Sequence, residues 1–140
     1  MKVVSLSEML AIEKEAISSG LSGDQMMENA GENLAHEIMQ INNFIGDDRD
    51  IEVIGLVGPG NNGGDTLIAL RWLAKNGWHS HAYLINRKTN DDKLVRSLIG
   101  EGGDVSSYDE DVNFNRLNTY LNEGDIILDG VLGTGSKLPL

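Results

Sequence analysis

The chain has 140 residues, 11 Lys+Arg against 22 Asp+Glu for a formal net charge of −11, and 40% hydrophobic residues. That length suits one domain, no apolar run approaches the ~20 residues a bilayer requires, and the acidic balance argues against a nucleic-acid surface. With no cysteine in the sequence, disulfides, thiolate metal sites and cysteine nucleophiles are excluded.

The opening stretch, MKVVSLSEMLAIEKEA, carries Glu8, Glu13 and Glu15 where a signal peptide has its apolar core, so the sequence reads as cytoplasmic. Residues 6–19 read as a helix, with Leu6, Met9, Leu10, Ile12 and Ala16 at helical spacing and Gly20 as the stop. A second helix spans about 23–41; Met27, Ala30, Leu34, Ile38 and Ile41 form its apolar face. Residues 42–50, NNFIGDDRD, are a polar loop. The period then changes. Residues 51–57, IEVIGLV, form a strand, and 58–65, GPGNNGGD, a tight loop. A helix follows to about Gly77, with Leu67, Leu70, Leu73 and Ala74 inward, then a strand at 78–86. The next helix, about 91–100, places Leu94, Val95, Leu98 and Ile99 on one face. Residues 105–108 make a short strand, Phe114, Leu117, Tyr120 and Leu121 mark a further helix, and 125–129, DIILD, a further strand. Strands alternating with helices imply an α/β fold whose parallel sheet is covered on both faces. The sequence stops soon after the fourth of these strands, whereas doubly wound domains carry more, so a chain truncated after its fourth strand is expected.

GPGNNGGD joins a strand to a helix. Gly58, Gly60 and Gly63 fit the G-x-G-x-x-G of dinucleotide folds. Gly58 and Gly63 also fit the spacing of a Walker A loop, but Gly64 and Asp65 stand where its Lys and Ser/Thr belong, which argues against an NTPase. Asp65 sits where a pyrophosphate would approach the helix N-terminus and would repel it. No acid ends the second strand; Asn86 and Arg87 lie there, which leaves an NADP-type oxidoreductase as an alternative. GGD also resembles the anion hole of sugar kinases. A generic turn requires one or two such residues, not eight in succession. Backbone amides at Gly60, Gly63 and Gly64, with the side chains of Asn61, Asn62 and Asp65, suit a sugar or nucleotide ligand held by many polar contacts.

The last predicted strand ends in DGVLGTGSKLPL. In a doubly wound sheet the first and fourth predicted strands are neighbours at the point where strand order reverses, so both glycine-rich loops face one crevice. Asp129 and the side-chain oxygen of Asn62 are hard ligands able to share a cation with backbone carbonyls; the plainer reading of Asp129 is a strand-end cap. Lys137 is either a phosphate partner or a solvated lysine.

Three segments carry a resemblance: MMENAG at 26–31, GPGNNGGDT at 58–66 and DGVLGTGSKLPL at 129–140. Together they resemble the YjeF N-terminal domain family, the NAD(P)H-hydrate epimerases, over essentially the whole chain, so that 1–140 reads as one epimerase-type domain. The resemblance implies a three-layer α/β/α, Rossmann-like parallel sheet with two extra N-terminal helices. It implies interconversion of the R and S forms of NADH or NADPH hydrated at C6 of the nicotinamide ring. It further implies a fused or separate ADP- or ATP-dependent dehydratase, a homodimer and a cytoplasmic setting, with no nucleic acid and no membrane as partner. By position, Asn61, Asn62, Gly63, Gly64 and Asp65 would contact the substrate, as would Gly133, Thr134, Gly135, Ser136 and Lys137. Asn62 and Asp129 would hold a potassium ion; Asp65 and Asp129 are the candidate acids for proton transfer, the alternatives being an aspartate of the family's next segment as the acid and ligand positioning as the role of these two. The sequence departs from the family at Thr66, where a glycine is usual, and it ends before the family's aspartate-x-proline-serine-glycine segment, which implies little or no epimerase activity.

The remaining residues read more plainly. His79 and His81 alternate on a strand and share a face, two ligands without a nearby third. Met26 and Met27 read as core, Glu28 as a helix-packing or interface residue, Trp72 and Trp78 as packed on the sheet, and Asp109, Glu110 and Asp111 as a solvated turn. A different class also shares this domain type, the non-catalytic dimerising module of RNA-decapping scaffolds; the intact NNGGD loop and strand-end Asp129 favour the enzyme.

Overall fold

The computed structural model describes residues 2–4, 23–45, 50–89 and 91–132. The helix expected over 6–19 lies outside them, as do Gly133, Thr134, Gly135, Ser136 and Lys137.

Five strands form one parallel sheet in the order β1-β5-β2-β3-β4. They are β1 (Lys2–Val4), β2 (Glu52–Val57), β3 (His79–Leu84), β4 (Asp104–Ser107) and β5 (Ile126–Gly130). β5 lies between β2 and β1, pairing Val57 with Gly130 on one side and Val4 with Leu128 on the other. The expected adjacency of the strands at 51–57 and 125–129 is therefore present. β1 is the strand the sequence does not announce. Three residues are too few to display an alternation, and their partner lies at the far end of the described chain.

The helices are α1 (Gly23–Ile45), α2 (Asn61–Lys75), α3 (Lys93–Gly100) and α4 (Asn115–Glu123). α1 runs on to Ile45, past the end expected at Ile41. α2 begins at Asn61, so most of the presumed loop is the helix's first turn. α3 starts after Asp92, whose carboxylate accepts from the N–H groups of Leu94 and Val95 at 3.0 and 3.4 Å and satisfies two donors that a helix start leaves open. Of its expected apolar face, Val95 and Leu98 are buried but Ile99 is 55% exposed: a further 100° of rotation beyond Leu98 carries it off the sheet. Phe114 is not within α4. It is the residue before the helix, left-handed at φ 58° and 48% exposed.

Alternate residues of β2, β3 and β5 feed two cores. On one face Val53, Val57, Ala82, Leu84 and Leu128 pack with Leu34 and Ile38 of α1, Leu67, Leu70 and Leu73 of α2, and Leu98 of α3. Trp72 and Trp78 pack against this cluster, half-buried, as expected. On the other face Ile54, Tyr83 and Ile127 meet Tyr120, Leu117 and Leu121 of α4. This makes the three layers α/β/α. Each fully buried leucine contributes about 1.5–3 kcal/mol, so the face carrying three helices holds most of the cohesion. Between α1 and α2, Glu28 pairs with Arg71 and accepts from the Trp72 indole N–H at 3.3 Å.

Candidate functional site

β2 ends at Val57 and β5 at Gly130, side by side and parallel. The backbone N–H of Gly58 donates to the Gly130 carbonyl at 2.9 Å, extending the pairing one step beyond the strands. This proximity explains two glycines. A Cβ on Gly58 would strike the Val131 carbonyl oxygen, and one on Gly130 would strike Thr66 Oγ1. Thr66, wholly buried, donates to the Asn62 carbonyl at 2.8 Å. A hydroxyl is thereby accommodated inside the helix at the position where the resemblance expects a glycine.

Asn61 is exposed, Asn62 only 3% and Asp65 only 1% exposed. Asp65 is the fifth residue of α2, one step deeper than the first-turn position inferred from sequence. The Asn62 amide Nδ2 donates to the Leu132 carbonyl at 2.6 Å. That bond ties the first loop directly to the segment after β5, and it leaves Oδ1 as the acceptor end of the amide. Gly64 lies under Met27, whose sulfur a Cβ would approach at 2.6 Å; Met27 is half-buried and closes the loop from α1 rather than lying in the core.

Asp129 is exposed, and one of its oxygens accepts from the Val131 N–H at 3.2 Å, the strand-end cap that the plainer reading offered. It shares the strand parity of Ile127, whereas Asn62 rides on the helix packed against the Leu128 side. Both stand near the C-terminal ends of β2 and β5, on opposite sides of the sheet. As donors they fit a hard monovalent cation: an amide oxygen and a carboxylate oxygen remain after the hydrogen bonds above, beside loop carbonyls.

Arg87, read from sequence as a possible 2′-phosphate partner, is committed elsewhere. Its Nη1 donates to the carbonyls of Gly58 and Gly60 at 3.0 and 3.2 Å, and its Nε to Asp92 at 2.8 Å. Beyond it a cavity of about 690 Å³ opens at the C-terminal ends of β3 and β4, its polar lining running from Asn86 to Thr89 on one side and through Ser106, Ser107, Asp109 and Glu110 on the other.

The histidines lie apart from this edge. His79 Nε2 stands 3.8 Å from Asp50, while His81 Nε2 lies 2.5 Å from Glu52 and its Nδ1 3.5 Å from Asp104. Asp109 and Glu110 form an exposed turn, as expected. Asp111 does not belong with them. It accepts from the Tyr83 hydroxyl at 2.9 Å and from the N–H groups of Arg116 and Leu117 at 2.8 and 3.0 Å. Burial works against ionisation of Asp111, but these three donors outweigh it and hold the carboxyl below its ordinary range. The Tyr83 phenol is pushed up to about 12, by burial first and then by its bond to Asp111.

A parallel sheet between helical layers, with the first glycine-rich segment hydrogen-bonded to the stretch after β5 at the strand-order reversal, defines a Rossmann-like α/β domain. Within that class, residues 23–140 match the family model described as YjeF-related protein N-terminus, and the chain belongs to that family. It is 30% identical to the NAD(P)H-hydrate epimerase of Elusimicrobium minutum, over 98% of this chain and 63% of that protein. It is 32% identical to the bifunctional NAD(P)H-hydrate repair enzyme Nnr of Thermofilum pendens, over 100% of this chain and 26% of that one. The crystal structure of yeast ynu0 superposes with a TM-score of 0.74 at 29% identity, covering 100% of this chain and 60% of the yeast chain. The chain thus spans less than two thirds of the length of each of these relatives.

Proposed function

We propose that this chain acts as an NAD(P)H-hydrate epimerase domain, an isomerase that interconverts the R and S hydrates of NADH or NADPH at the edge shared by β2 and β5. The observation that carries this reading is the Asn62 Nδ2 bond to the Leu132 carbonyl. It joins the two segments whose residues the family resemblance assigns to the substrate. Relatives named as epimerases, covering nearly the whole of this chain, support the same reading.

The N-terminus of α2 supplies open N–H groups, with Asn61 exposed beside them, and this suits phosphate and ribose oxygens. Asn62, Gly63, Gly64 and Asp65 shape the floor, and Gly133, Thr134, Gly135, Ser136 and Lys137 would close the opposite side. Inverting a carbon that bears a hydroxyl requires one of its bonds to break and re-form on the other face, and a carboxylate within reach moves the proton. Asp129, exposed at the strand end, has the access such a group requires, whereas buried Asp65 suits a positioning role. Asn62 and Asp129 would hold a potassium ion, which would supply fixed positive charge for the ligand. We further propose a cytoplasmic homodimer, residues 1–140 acting as one domain, alongside a fused or separate nucleotide-dependent dehydratase; relatives that join both activities in one chain support that pairing.

The test is epimerisation of purified R hydrate, followed by chromatography of the two epimers. Asp129→Asn should lower kcat about 100-fold, the lower range of a general acid–base contribution. Asp65→Asn should act chiefly on KM. Wild-type rates in both variants would remove the assignment.

A further inference from the structure

We infer that Arg87 is a positioning residue for the glycine-rich loop, a guanidinium strap that sets the direction of the α2 N-terminus. Its kinetic consequences rest on the epimerase reading; its structural role does not. Arg87 follows β3, and its side chain is 13% exposed. Nη1 takes two loop carbonyls, those of Gly58 and Gly60, while Nε takes Asp92 Oδ2. The other oxygen of Asp92 caps α3. One planar group thus couples the end of β3, the start of α3 and the loop leading into α2.

The coupling has a direction. In a trans peptide the carbonyl and the following N–H point opposite ways. The Gly60 carbonyl accepts the first helical bond, from the Gly64 N–H at 3.3 Å. Arg87 adds a second donor to the same oxygen, so the Asn61 N–H of that peptide is held the opposite way, outward from the helix start. The peptide after Gly58 has no N–H to misdirect, because Pro59 follows. The Gly58 and Gly60 carbonyls thus share one cation, and the open amides of α2 face outward. Only a fork with separate donors at Nη and Nε spans carbonyls and carboxylate together; a lysine ammonium reaches one side or the other. Gly63 belongs to the same device, since a Cβ there would come within 2.9 Å of Nη1.

Backbone hydrogen exchange in the ligand-free full chain tests this without reference to any substrate. Arg87→Met should speed exchange at the hydrogen-bonded amides of Gly64 and Asp65 about tenfold, as loss of a charge-assisted bond implies, with β2 and β5 unchanged. Arg87→Lys should restore part of the protection. Asp92→Ser keeps a competent helix cap but removes the guanidinium's anchor. It should speed the loop amides while those of Leu94 and Val95 keep their protection. In the R-hydrate assay the Arg87 variants should raise KM more than they lower kcat. Wild-type exchange in the loop, or loss of protection spread evenly over the sheet, would overturn the inference. An R hydrate that adds no protection to the loop amides of the wild type, with the loop-specific change still present in the variants, would overturn the epimerase reading alone.

Discussion

At Gly63 a side chain would have to displace backbone: a Cβ would collide with the Gly58 carbonyl oxygen and crowd Arg87. In an open helix Gly→Ala gains about 0.5–1 kcal/mol, but overpacking against rigid neighbours costs about 1–3 kcal/mol, so the clash wins. Gly63→Ala should lower the urea midpoint of unfolding, measured by circular dichroism, and a rise would show that the loop yields. Asn62 is legible in sequence because an amide beside paired glycines between strand and helix has few plain readings. Its partner is not legible, because the acceptor is a carbonyl at Leu132 and every residue offers one. Arg87 is misread for the same reason. A basic residue after the second strand of a dinucleotide-like unit suggests a phosphate, and nothing local reveals that its donors are spent on loop carbonyls and Asp92.

The two sides of the sheet differ at the scale of the element. α4 is short, and besides the packing of Leu117, Tyr120 and Leu121 it is tied to the sheet through Asp111, which accepts from the Tyr83 hydroxyl and from the helix N–H groups of Arg116 and Leu117. The pH dependence follows from the two shifts. The lowered Asp111 value makes its contribution present above the ordinary carboxyl range and lost as pH falls through the folded value. The Tyr83 value, raised from 10.0 to about 12, makes its contribution present below 10 and lost as pH rises toward 12. Stability measured by denaturant titration should therefore fall at both extremes, and Asp111→Asn should flatten the acid limb. An unchanged acid limb would mean the bonds do not bear on stability. Sequence periodicity locates α4 but misplaces Phe114, since an apolar residue at helical spacing reads the same inside a helix and one residue before it. The positive φ of Phe114 is a tertiary outcome.

Over the whole molecule, β1 makes β5 an interior strand. Deleting residues 1–4 would leave the backbone groups of β5 without their outer partner, and an unpaired parallel edge invites association. The truncated chain should lose amide protection at Ile127, whose N–H faces β1, while Leu128, facing β2, keeps its own, and it should sediment with a larger aggregated fraction. Full protection at β5 would show that β1 contributes nothing to it. The charge of −11 opposes such association at low salt, so the effect should grow as salt screens it.

The alternation of strands and helices from Ile51 onward, the two glycine-rich segments and their convergence on one edge were determined by sequence alone. Periodicity, glycine placement and the reversal rule of doubly wound sheets are local or general constraints that a chain displays in its residue order. Tertiary structure decided the β1 pairing, the commitment of Arg87, the separation of Asp111 from its acidic neighbours and the burial that distinguishes Asp65 from Asp129. Each of these depends on contacts between residues far apart in the chain, made through backbone groups or the ends of long side chains, and such partners leave no periodic trace in a sequence.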